Sequence, residues 1–72
     1  MEQFVLTTPY ITLGQLLKNI GLIDTGGQAK WFLQEQEVRV NSEAEFRRGR
    51  KLKVGDVVTI PGWGEVKMVA GQ

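Results

Sequence analysis

Five of the nine basic residues in the 72-residue chain fall in one stretch, Arg47-Arg48-Gly49-Arg50-Lys51-Leu52-Lys53, which contains no acid. The formal net charge is only +1, because Glu35, Glu37, Glu43 and Glu45 precede this run. A negative partner would therefore meet a local field that the total charge conceals. Arginine forks grip phosphate bidentately, and several on one surface give the salt-sensitive, sequence-independent attraction that nucleic acid binding needs. The bland alternative is a solvated loop. Against it, Leu52 and Val54 alternate with Lys51 and Lys53, which predicts a strand that buries the first pair and projects the second. Gly49 would let the backbone bend between the two arginine clusters.

Few other residues could do chemistry. The chain has no histidine and no cysteine, which removes the usual acid–base groups and nucleophiles as well as disulfides and thiolate metal sites. Asp24 and Asp56 lie close to glycines and read as turn formers. The carboxylates lack calcium-loop spacing, and Gly26-Gly27 stands outside any phosphate-loop pattern. A binding module is expected in place of an enzyme, with no metal and no cofactor implied.

The elements that must position the basic run follow from periodicity. Leu13, Leu16, Leu17 and Ile20 share one helical face, and Thr12 with Gln15 forms a capping-box signature. Gly21 is placed to end that helix, so a first helix is expected over residues 12–20. Thr25 and Gln28 repeat the signature, with Ala29, Phe32 and Leu33 on the inner face of a second helix over residues 26–36. After Gln36 the period changes to two: Val38 and Val40 read as a strand, Asn41-Ser42-Glu43 as a turn, and Val57 to Ile60 as a further strand. Pro61 to Gly64 reverses the chain into a strand over 65–69, and residues 3–7 form another; both are expected at the sheet edge. The whole chain, 1–72, reads as a single α+β domain, two adjacent helices on a small, mostly antiparallel sheet. No stretch resembles an export leader, so a cytoplasmic, monomeric protein with no membrane role is expected.

The order of these pieces resembles the S4-like RNA-binding domain family. Leu13, Leu17 and Gly21 match its first element, and Thr25, Ala29, Lys30, Phe32 and Leu33 its second. Val38, Val40 and Asn41 match the third, and Val54, Gly55, Asp56 and Ile60 the fourth, so that the likeness covers residues 12–60. Asp24 to Leu33 and Arg47 to Leu52 resemble in particular the small stand-alone YaaA-type members. The resemblance implies an S4-like, αL-type fold and a basic surface for structured RNA, ribosomal RNA above all, with a role in ribosome assembly or translation and ribosomal or other ribonucleoprotein components as further partners. Gly26 replaces the family's helix arginine, Thr12 and Gly14 replace its first-helix Arg and Asp, and Ser42 stands at its turn glycine. The load then shifts to Lys30 and the basic run.

On this reading Arg47, Arg48, Arg50 and Lys51 are phosphate anchors, Lys30 and Gln28 are contacts from the second helix, and Lys18 and Gln34 flank them. Trp31 reads first as a cover for the core edge and second as a base-stacking platform. Trp63 is expected to fold over the sheet, and Asn41 to serve the turn. Two rival functions remain open on the residues alone: a protein-interaction module for an acidic partner, and a DNA-binding accessory factor.

Overall fold

Both predicted helix starts form in the computed structural model, which describes residues 2–71. Thr12 caps α1 (Leu13–Asn19): its Oγ1 accepts from the Gln15 N–H at 3.2 Å, and the Gln15 carboxamide oxygen accepts from the Thr12 N–H at 2.9 Å. Two otherwise unpaired N–H groups are thereby satisfied. At the other end Gly21 takes φ +84°, and the N–H groups of Leu22 and Gly21 donate back to the carbonyls of Leu17 and Lys18. This is the left-handed glycine stop that a side chain would strain. In α2 (Gly26–Glu35) the Gln28 carboxamide oxygen accepts from the N–H groups of Thr25 and Asp24.

Five strands lie side by side in the order β1 (Glu2–Leu6), β7 (Gly64–Ala70), β6 (Val57–Ile60), β3 (Arg39–Val40) and β4 (Glu43–Ala44). β1 runs parallel to β7, and the other neighbours are antiparallel. A separate two-stranded ladder joins β2 (Ile11–Thr12) to β5 (Lys51–Leu52). Leu13, Leu16 and Leu17 of α1 and Ala29 and Leu33 of α2 meet Leu6, Val40, Val58, Ile60, Val66 and Met68 of the sheet in one buried cluster, which Leu52 completes. Helices on one side and sheet on the other thus share a single core, the two-layer arrangement expected of an α+β chain.

Turn chemistry holds the strands in register. Asn41 and Ser42 both have positive φ, 52° and 73°, as a two-residue hairpin turn of the right twist requires. Asn41 also accepts from the Val57 N–H and donates to the Asp56 carboxylate, whose other oxygen accepts from the Lys53 N–H. The expected turn roles of Asn41 and Asp56 are therefore both present. Pro61 and Gly62 occupy the corners of a turn closed by the Trp63 N–H on the Ile60 carbonyl, and Trp63 packs half-buried against the core.

Two expectations are overturned. The strand predicted over 65–69 is not at an edge, because β1 pairs with it along its outer side. Val54 is 53% exposed while Leu52 is fully buried. The strand stops at Leu52: Lys53 to Asp56 form a turn closed by the Asp56 N–H on the Lys53 carbonyl, with Gly55 at φ +98°. Asp56 stabilises that turn through the Lys53 N–H, so Val54 becomes its outward corner.

Candidate nucleic-acid interface

The basic run is clamped to the start of α1. The N–H groups of Leu13 and Gly14, which have no partner within a helix, donate to the carbonyls of Arg50 at 2.8 Å and Arg48 at 2.9 Å. Gly14 makes this approach possible, since a Cβ there would lie 3.3 Å from the Arg48 carbonyl oxygen. Lys51 then pairs with Thr12 across the β2–β5 ladder. The backbone from Arg48 to Leu52 is thereby tied to the start of α1, whose inner face is buried, so the run is held in place along part of its length.

Each of the four predicted anchors also has an intramolecular partner. Glu45 is only 7% exposed, and its carboxylate accepts from Arg47 Nε at 3.1 Å, Arg47 Nη2 at 3.3 Å and Arg50 Nη1 at 2.9 Å. Its Oε2 also accepts the backbone N–H groups of Phe46 and Arg47. Arg48 Nη1 donates to the Gly26 carbonyl at 3.1 Å, linking the run to the start of α2. Lys51 Nζ lies 4.9 Å above the centre of the Tyr10 ring, a cation–π distance. The guanidiniums around Glu45, with Arg47 foremost, outweigh the cost of its burial and lower its pKa from 4.5 to about 2.

Two shallow grooves flank the ridge. Arg47, Gly49, Arg50 and Lys51 line one; Lys18, Arg48 and Gly49, together with Thr12, Gln15 and Gly26, line the other. Five of the predicted contacts are thus brought together around Gly49. Lys30, Trp31 and Gln34 stand at exposed positions of α2 and line neither groove, and the Gln28 side-chain oxygen is committed to the helix cap. Trp31 is 66% exposed, so the preference for a core role is overturned. Its neighbours in the helix, Phe32 and Leu33, supply the packing in its place.

Glu45 and Tyr10 escaped sequence reasoning. The acid looked like one of several preceding the run, and its spacing of two and five residues from Arg47 and Arg50 has no periodic signature. Tyr10 meets Lys51 only because β2 and β5 pair.

The S4 domain family description fits residues 4–69. The chain belongs to the S4 domain family. It is 60% identical over 62 residues to the Bacillus subtilis (strain 168) protein named "Probable ribosome maturation protein RlbA", a match spanning 86% of this chain and 87% of that one. Its fold is similar to that of YbcJ from E. coli, with a TM-score of 0.69, 35% identity, and coverage of 97% of this chain and 89% of that one. The solution structure of YbcJ is described as revealing an alfaL motif involved in RNA binding.

Two expected results concern individual residues of this S4 domain. Trp31→Ala should shift folding stability by no more than about 0.5 kcal/mol, as exposed substitutions usually do. If the ring stacks on a base, the same change should weaken RNA binding by about 1–3 kcal/mol. Urea unfolding followed by circular dichroism and a filter-binding titration separate the two, and unchanged affinity would remove the platform role. The second result concerns pH. Because the folded pKa of Glu45 is depressed, its contribution is fully present above about pH 5 and is lost as pH falls towards 2. Allowing for the solvent around Arg47, about 1–3 kcal/mol of stability should disappear over that window. Urea midpoints at pH 7, 4 and 2.5 should fall less steeply in Glu45→Gln, and parallel curves for the two proteins would contradict the assignment.

Proposed function

We propose that this S4 domain is a non-catalytic module that binds structured RNA, ribosomal RNA in the first place, and acts in ribosome maturation in the cytoplasm. The observation that carries the reading is the clamp: four cations of one run are held on a rigid backbone across the starts of two helices. Such a surface suits recognition by shape and phosphate, since the deep, narrow major groove of RNA helices resists reading by side chains. Arg47, Arg48, Arg50 and Lys51 contact phosphates, and Lys18 extends the surface along the second groove. Lys30, Gln34, the amide of Gln28 and the exposed Trp31 add contacts from α2. The relative at 60% identity is named for ribosome maturation, which supports the same process for this chain.

Titration with fragmented ribosomal RNA at several salt concentrations tests the reading. With four or five phosphates neutralised, log affinity should fall against log salt with a slope of roughly −3 to −4.5, taking the duplex DNA value of about −0.9 per contact as a guide. DNA of matching sequence should bind more weakly, because it lacks the 2′-hydroxyls. A slope near zero, or equal binding of DNA, would count against it.

A further inference from the structure

An acid at the centre of an RNA-binding surface opposes binding on Coulomb grounds alone. Glu45 is nevertheless buried there, with both oxygens engaged by the two arginines of one groove and by two backbone N–H groups. The Arg47 fork sits on it bidentately, through Nε and Nη2. Arg47 Nη1 and the Nε and Nη2 of Arg50 have no partner among the described residues, and both side chains line the groove with Gly49 and Lys51. Arg47 thus spends two of its three guanidinium nitrogens, and Arg50 one, on holding position, while the others stay available.

We propose that Glu45 is a positioning residue for RNA binding, and that the groove lined by Arg47, Gly49, Arg50 and Lys51 is a subsite for one RNA backbone phosphate gripped by the two arginines that Glu45 holds. The proposal rests on the RNA-binding reading above. An untethered arginine must lose its rotamer freedom when it meets phosphate, whereas one already fixed by a buried carboxylate has lost it on folding. Two opposing effects follow from removing the acid. Relief of one screened charge would tighten binding about threefold. Loss of order in two long side chains would weaken it, by about tenfold on the usual cost of immobilising such groups. Ordering is therefore the larger effect, and the two mechanisms differ in sign.

The test compares the full chain with Glu45→Gln on fragmented ribosomal RNA, at a temperature where circular dichroism shows both folded. The variant carries a net charge of +2, one more than the +1 of the native chain, yet is expected to bind about threefold more weakly, the net of the roughly tenfold loss of ordering and the roughly threefold gain from charge relief. Its salt slope should be shallower by about one, since one phosphate contact is lost. A residue that matters only for folding would leave both affinity and slope unchanged in the folded protein. Equal or tighter binding by Glu45→Gln overturns the proposal and leaves the RNA-binding reading intact, whereas no binding by the native chain removes both. Should Glu45→Gln fail to fold, Arg50→Lys keeps the net charge and the Arg47 fork on Glu45 but removes one guanidinium from the groove. Its expected loss is about fivefold, within the same ordering and fork-geometry argument, and unchanged affinity overturns the proposal. Competition by inorganic phosphate against chloride at matched ionic strength distinguishes a free-anion site from a polymer subsite: no excess displacement is expected, and strong displacement by phosphate alone overturns the RNA assignment.

Discussion

Replacing Arg47, Arg48, Arg50 and Lys51 together with alanine is expected to abolish most RNA binding and also to destabilise the fold. If each phosphate contact is worth about 1 kcal/mol, affinity falls roughly a hundred- to thousandfold, and the salt slope collapses towards zero. From the sequence, four exposed substitutions in a basic run would be expected to leave the fold intact. The structure says otherwise, because Glu45 is buried and keeps only its two backbone N–H donors once both guanidiniums are gone. A buried charged acceptor that loses its charged donors costs about 1–3 kcal/mol. Adding Glu45→Gln to the quadruple variant should recover much of that stability without recovering RNA binding. Urea unfolding and filter binding on the same preparations check this. A quadruple variant as stable as the native chain would show that the carboxylate is not strained by losing its arginines.

The second large effect separates two residues that look equivalent in the sequence. Leu52→Ala should cost about 2–5 kcal/mol, since Leu52 is fully buried beside the leucines of α1 and a cavity would remain. In a domain this small, whose whole stability is of order 5 kcal/mol, that approaches unfolding. Val54→Ala should change stability by no more than about 0.5 kcal/mol. The contrast is read from urea midpoints, and similar losses at the two positions would mean that the chain continues as a strand past Leu52. Leu52→Ala should also weaken RNA binding indirectly, because Lys51 is held over Tyr10 by the same two-residue ladder.

Local rules made most of the scaffold legible. The repeated Thr-x-x-Gln signature marked both helix starts, and Gly21 marked the end of the first helix. Asn41-Ser42 and Pro61-Gly62 marked turns. Each is decided within a few residues by backbone geometry and local hydrogen bonds, so no distant partner is needed to read it. The location of the cationic surface was equally plain, because charge density is a property of composition along the chain.

What lay outside the sequence was whatever required two distant segments to meet. The alternation of Lys51 to Val54 suggested a strand through Val54, but the Asp56 carboxylate captures the Lys53 N–H and turns the chain early. The preference for burying Trp31 failed because Leu33 and Ala29 already fill the helix–sheet interface. The strand over 65–69 is internal only because β1, some sixty residues earlier, adds to it in parallel. Above all, the composition of the basic run fixed where positive charge is concentrated, but not that the run would have a shape. The shape comes from two helix N–H groups, one glycine that admits the run's backbone, and a buried glutamate that holds two arginines. Those contacts join α1 to a run more than thirty residues away and bury a charge that sequence alone would leave in water; only the closed tertiary structure supplies the partners that make such burial favourable.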